Sequence, residues 1–134
     1  MNFAQRYQTL SLLSSGKVLA AGGISTSGSL NSAELYDPTT RVWTQTGNMS
    51  FARKWCPSSI LSNGMVLVAG GEESPSSILN SAELYNPTTG VWTQTTNMSF
   101  ARYYHTASIL NTGKVLVAGG NGSSLAMNSS ELYG

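Results

Sequence analysis

GKVLVAGG, Gly113 to Gly120, has two near-copies in the same chain: GKVLAAGG from Gly16 to Gly23 and GMVLVAGG from Gly64 to Gly71. Each is a short, apolar, β-branched run that starts at a glycine after a polar turn and stops at a glycine pair. Such a run predicts a strand buried on both faces. The glycine pair ends it, because glycine accepts positive φ freely and lets another backbone approach closely.

The rest of the chain recurs in step. Gly22 to Gly70 is 48 residues and Gly70 to Gly119 is 49; Glu34, Glu83 and Glu131 follow at 49 and 48, and Trp43 and Trp92 are 49 apart. Several unrelated residue types sharing one period of tens of residues imply a stacked or radial repeat. Four strands are predicted per unit. The first covers Thr9 to Leu13, Ser58 to Leu61 and Thr106 to Leu110, and it joins the glycine-pair strand through a glycine-containing hairpin turn. The third is SAELY or SSELY (Ser32 to Tyr36, Ser81 to Tyr85, Ser129 to Tyr133), where Leu alternates with Glu and Tyr as a half-buried strand requires. After a turn at Asp37-Pro38 or Asn86-Pro87 comes the fourth, VWTQT, at Val42 to Thr46 and Val91 to Thr95. No stretch has a helical period, so the chain reads as all-β.

A glycine pair, then Glu-x-Tyr, then Asp-Pro, then Trp, in units of about 50 residues, resembles the kelch repeat. Gly22, Gly23, Glu34, Tyr36, Asp37, Pro38 and Trp43 carry it in the first copy. Gly70, Gly71, Glu83, Tyr85, Asn86, Pro87 and Trp92 carry it in the second, and Gly119, Gly120, Glu131 and Tyr133 in the third. The resemblance implies a β-propeller of four-stranded blades, the first strand innermost and the Trp strand outermost. Blade 1 is expected over 1–48, blade 2 over 49–97, and blade 3, without its outer strand, over 98–134. Propellers close with four to eight blades. The ring is therefore expected to be completed by a second copy, giving six blades in a homodimer, or by further chain.

Composition excludes several function classes. Charged residues make up 10% of the chain and the net charge is +1, which predicts neither a nucleic-acid nor a membrane partner. Cys56 is the only cysteine and His105 the only histidine, so no thiolate metal cluster is expected. Some secreted propellers similar to kelch are copper-radical oxidases that use two histidines, and a single histidine cannot build that site. No cofactor or metal is expected, and the chain is read as a non-enzyme.

The three copies differ most in the links after the glycine pairs and in the segments leading into the first strands. Those lead-in segments hold Arg6 and Tyr7; Arg53, Lys54 and Trp55; and Arg102, Tyr103, Tyr104 and His105. Loops on a rigid scaffold commonly carry function, and Arg, Tyr and Trp anchor interfaces. These nine residues are the candidate ligand-binding face. Kelch propellers that take acidic peptides use arginines on the equivalent face, which Arg53 and Arg102 match, whereas Gln5 stands in the first copy. The alternative for the arginines is pairing with the repeated Glu34, Glu83 and Glu131. Glu34, Glu83, Glu131, Trp43, Trp92 and the six paired glycines are read as architectural. The function expected is a protein- or peptide-binding or assembly scaffold, ahead of an extracellular structural or glycan-binding propeller, and well ahead of an oxidase-like enzyme.

Overall fold

The computed structural model describes residues 1–2 and 4–134, and among them there are strands and turns but no helix. The first sheet holds β1 (Thr9–Leu12), β2 (Val18–Ala21), β5 (Ala33–Asp37) and β6 (Val42–Gln45) in the order β1-β2-β5-β6, all antiparallel. A small hairpin of β3 (Ile24–Ser25) and β4 (Gly28–Ser29) occupies the link after the glycine pair. The second sheet repeats the plan with β7 (Ser58–Ile60), β8 (Val66–Ala69), β11 (Ala82–Asn86) and β12 (Val91–Thr95), its own small hairpin being β9 (Glu72–Ser74) and β10 (Ser77–Ile78). The third sheet has three strands, β13 (Thr106–Ile109), β14 (Val115–Ala118) and β15 (Ser130–Tyr133). These three sheets stand as blades, the third without an outer strand, in an arc that does not close within the chain.

Local chemistry explains each turn. Asp37 Oδ1 accepts the Thr39 amide at 2.9 Å and Asn86 Oδ1 accepts that of Thr88 at 2.9 Å, which fixes the corner between third and fourth strands. The same corner needs a left-handed residue just before the fourth strand. Gly90 supplies it at φ 72° in blade 2, whereas Arg41 is held at φ 60° in blade 1.

The core lies between sheets. Blade 1 presents Leu19, Ala21 and Ala33 to Val66, Val68, Tyr85 and Trp92 of blade 2. Blade 2 turns Leu67, Ala69 and Ala82 toward Val115 and Val117 of blade 3. β8 is buried along its whole length because neighbours cover both its faces. Tyrosine hydroxyls tie the seams: Tyr85 meets Thr46 Oγ1 at 2.8 Å, and Tyr133 meets Thr95 Oγ1 at 2.8 Å. First strands of neighbouring blades touch as well, Thr9 Oγ1 lying 2.6 Å from Ser58 Oγ.

At the ends of the arc, large apolar side chains face outward. Leu10 and Leu12 are 57% and 65% exposed on blade 1, and Leu132 is 58% exposed on blade 3. Beside β15 lies an open cleft of about 310 Å³ lined by Leu67, Ala69, Ala82, Met98 and Val117. Trp92 fills the matching place between blades 1 and 2.

Candidate functional site

Each lead-in segment crosses from the preceding blade over its own blade to the innermost strand. Its second residue pairs with the link after the glycine pair: Arg6 with Ile24, Lys54 with Glu72, Tyr103 with Asn121. Lead-in segments and links therefore form one face. The glycine pair makes this crossing possible, for a Cβ on Gly70 would stand 2.5 Å from the Arg102 carbonyl oxygen, and one on Gly71 2.7 Å from that of Lys54. No side chain fits there.

Arg53 and Arg102 lie beneath this face, not on it, and both are 0% exposed. The Arg53 guanidinium donates to Gly70 O at 2.7 Å, Ser81 O at 3.1 Å, Ser81 Oγ at 3.2 Å and Glu83 Oε1 at 2.8 Å. Arg102 repeats the set on Gly119 O, Ser129 O, Ser129 Oγ and Glu131 Oε1. A guanidinium spanning a carboxylate and two carbonyls uses its planar fork as an internal clasp. The carboxylates also accept the amides of Ser50 and Phe51, or Ser99 and Phe100. Burial pushes the Glu131 carboxyl up, but these amides and Arg102 outweigh it and hold the group below the usual carboxylate range. The repeat-to-repeat pairing of Arg and Glu is thus the arginines' place, and it corrects their assignment to a ligand surface. Blade 1 has Gln5 at this position; Glu34 is 1% exposed, takes the Asn2 amide at 2.8 Å, and leaves Oε2 without a partner among the described residues.

Lys54 is buried too. Its ammonium meets Glu72 at 2.9 Å and Ser29 Oγ of blade 1 at 3.3 Å, and it sits 4.5 Å from the Trp55 ring centre. Its charge is internally matched. Arg6 is exposed, with its guanidinium 5.3 Å from the Tyr7 ring centre.

The aromatic residues come together. Ring centres of Tyr7 and Trp55 are 5.3 Å apart, Trp55 and Tyr104 4.6 Å, Trp55 and Tyr103 5.8 Å, and Tyr103 and Tyr104 5.1 Å, all tilted. Tyr7, Trp55 and Tyr104 occupy the same place in the three repeats, and all are left-handed, at φ 62°, 58° and 55°. A backbone chain explains the conformation: the Trp55 amide donates to Tyr7 O at 3.3 Å and the Tyr104 amide to Trp55 O at 2.9 Å. Tyr7 and Tyr104 remain about half exposed. Desolvation, then the neighbouring Tyr7, Tyr103 and Glu72, hold the Tyr104 hydroxyl above its ordinary value. This hydroxyl stays protonated and can donate.

His105 and Cys56 follow those aromatics, and each packs its Cβ against the second glycine of its blade's pair. His105 is buried, and neither ring nitrogen has a partner of good hydrogen-bond geometry among the described residues; burial and Arg102 push it down to about 4 against a weaker opposing pull from the Ala69 backbone, so the imidazole is neutral at pH 7. Burial pushes the Cys56 thiol up to about 11, against the pull of Arg53. Neither group faces the ligand side as an acid, base or nucleophile. What the face presents is an aromatic ridge with one exposed cation. The ridge was legible as composition; the left-handed backbone beneath it carries no sequence signal when it holds Tyr or Trp.

The Kelch motif profile matches residues 5–50 and 56–99, more than half of the chain. No curated protein matches the chain.

Proposed function

Because this chain belongs to the kelch-repeat family, we propose that its propeller blades serve as a binding scaffold, gripping a protein or peptide through the aromatic ridge. The observation that carries this reading is the row Tyr7, Trp55, Tyr104. The backbone hydrogen-bond chain accounts for the left-handed conformation, yet that conformation disfavours bulky side chains. Tyr7 and Tyr104 keep large aromatic rings half exposed at strained positions, which folding does not require, and such residues anchor interfaces. Arg6, beside Tyr7, adds a cation for an acidic or carbonyl-rich partner. Kelch repeat domains are generally non-catalytic scaffolds, which agrees with a face built for recognition.

The test is a peptide array probed with the wild-type protein and with Tyr7→Asn and Tyr104→Asn. Asparagine tolerates the left-handed region, so the backbone is preserved. The reading expects a peptide set whose binding falls at least about tenfold in either variant, a loss of about 1.4 kcal/mol, at unchanged melting temperature. Binding that persists in both variants would refute it.

A further inference from the structure

Both seams inside the chain are made from one set of donors and acceptors, and the two free edges of the arc carry the unmatched halves of that set. Gly23 donates its amide to Arg53 O at 2.8 Å, and Gly71 donates to Arg102 O at 2.8 Å. Gly120, the third of the series, has no acceptor, and Gln5 O, which precedes the series, has no donor among the described residues. Along the aromatic ridge the same holds for the amide of Tyr7 and the carbonyl of Tyr104. Asn31 and Asn80 donate their side-chain amides to Met49 O and Met98 O at 3.1 Å, while Asn128 at the free edge is exposed with no such partner among the described residues. Exposed Leu10 and Leu12 on one edge and Leu132 on the other add apolar surface to both sides.

We infer that a second copy of this chain docks head to tail on the first. Gly120 of each copy donates to Gln5 O of the other, Tyr7 of each donates to Tyr104 O of the other, and Leu132 covers Leu10 and Leu12. The occupant is a second copy because the missing partners at each edge are those that the other edge offers, in the same register as the two internal seams. Such a contact is heterologous, and two of them related by a two-fold axis close a ring of six blades. Closure also completes the ligand face, since it continues the row of Tyr7, Trp55 and Tyr104 around the whole mouth. The inference rests on the blade seams and not on the ligand reading, so each can fail alone.

Light scattering on the intact chain tests it. The expected mass is twice the 14.2 kDa of one chain. Leu10→Asp and Leu132→Asp spoil opposite edges, and each alone halves the mass. Mixing the two variants restores a two-chain species, because one intact seam forms between the good edge of each; a face-to-face dimer gives no such rescue. Should either variant fail to fold, hydrogen exchange on the wild type decides: the Tyr7 and Gly120 amides are expected to be as protected as those of Trp55 and Gly71, and to lose protection on dilution. A folded wild-type monomer, an open polymer, variants that keep the two-chain mass, or fast exchange at Tyr7 and Gly120 at every concentration would each overturn the proposal.

Discussion

Gln5→Arg should stabilise the protein. In blades 2 and 3 the arginine at this place makes four hydrogen bonds, one to a glutamate that is buried or nearly so. Blade 1 keeps the glutamate, Glu34, and the carbonyl acceptors of Gly22 and Ser32 but not the cation, so Glu34 Oε2 is buried without a charged partner among the described residues. A hydrogen bond to a charged group contributes about 1.5–3 kcal/mol. Desolvating the new guanidinium offsets part of that, and the edge of the arc is more open than a closed seam. A net gain of about 1–2 kcal/mol remains, which for a chain of this size raises the melting temperature by about 4–8 °C. The reverse change, Arg53→Gln, strands the fully buried Glu83 carboxylate and should cost about 3–5 kcal/mol. Calorimetry and urea denaturation of Gln5→Arg, alone and with Glu34→Gln, give the cycle. The gain should vanish in the double variant. An unchanged or lower midpoint for Gln5→Arg in a folded protein would refute the clasp as the organising contact of the repeat.

Other predictions follow from single sites. His105 is depressed to about 4 in the folded state against an ordinary value of 6.5, so the unfolded chain binds the extra proton between those values. Stability is therefore full above about pH 6.5 and falls as pH drops toward 4, by at most about 3 kcal/mol; in His105→Gln the urea midpoint should be flat from pH 7.5 to 5. Gly70→Ala meets the Arg102 carbonyl, whereas Gly64→Ala meets nothing within 4 Å at a comparable positive φ. The second should cost about 1–2 kcal/mol and the first clearly more, as denaturant midpoints will show. Arg41→Gly, which copies Gly90 into the strained corner of blade 1, should raise stability by about 0.5–1 kcal/mol in the same assay. Cys56 should react with iodoacetamide at pH 7.5 far more slowly than a free thiol does, and only unfolding should abolish the difference.

The blades were readable in the chain because each strand carries its own pattern: VLVA between a turn glycine and a glycine pair, Leu between Glu and Tyr, Trp after the Asp-Pro or Asn-Pro corner. Boundaries shifted by a residue, as where the third strand runs Ala33–Asp37 rather than from Ser32, because the ladder extends into the corner that Asp37 caps. The small hairpins after the glycine pairs were not legible, since Ile24–Ser25 and Gly28–Ser29 are too short for alternation to register. At the candidate face, residue type pointed to the right segments but could not separate depth. Arg53 and Arg6 are both arginines in lead-in segments; one enters the blade because a glutamate and two carbonyls await it, and the other stays outside because Ile24 stands where Glu72 receives Lys54.

The propeller arrangement requires blades that meet face to face through Tyr85–Thr46 and Tyr133–Thr95. Nuclear Overhauser spectra on selectively labelled protein measure both contacts directly. Cross-peaks from each tyrosine ring to the methyl group of its threonine, alongside the Tyr85–Trp92 contact within blade 2, are the predicted result. The within-blade contact without either cross-blade one would contradict it.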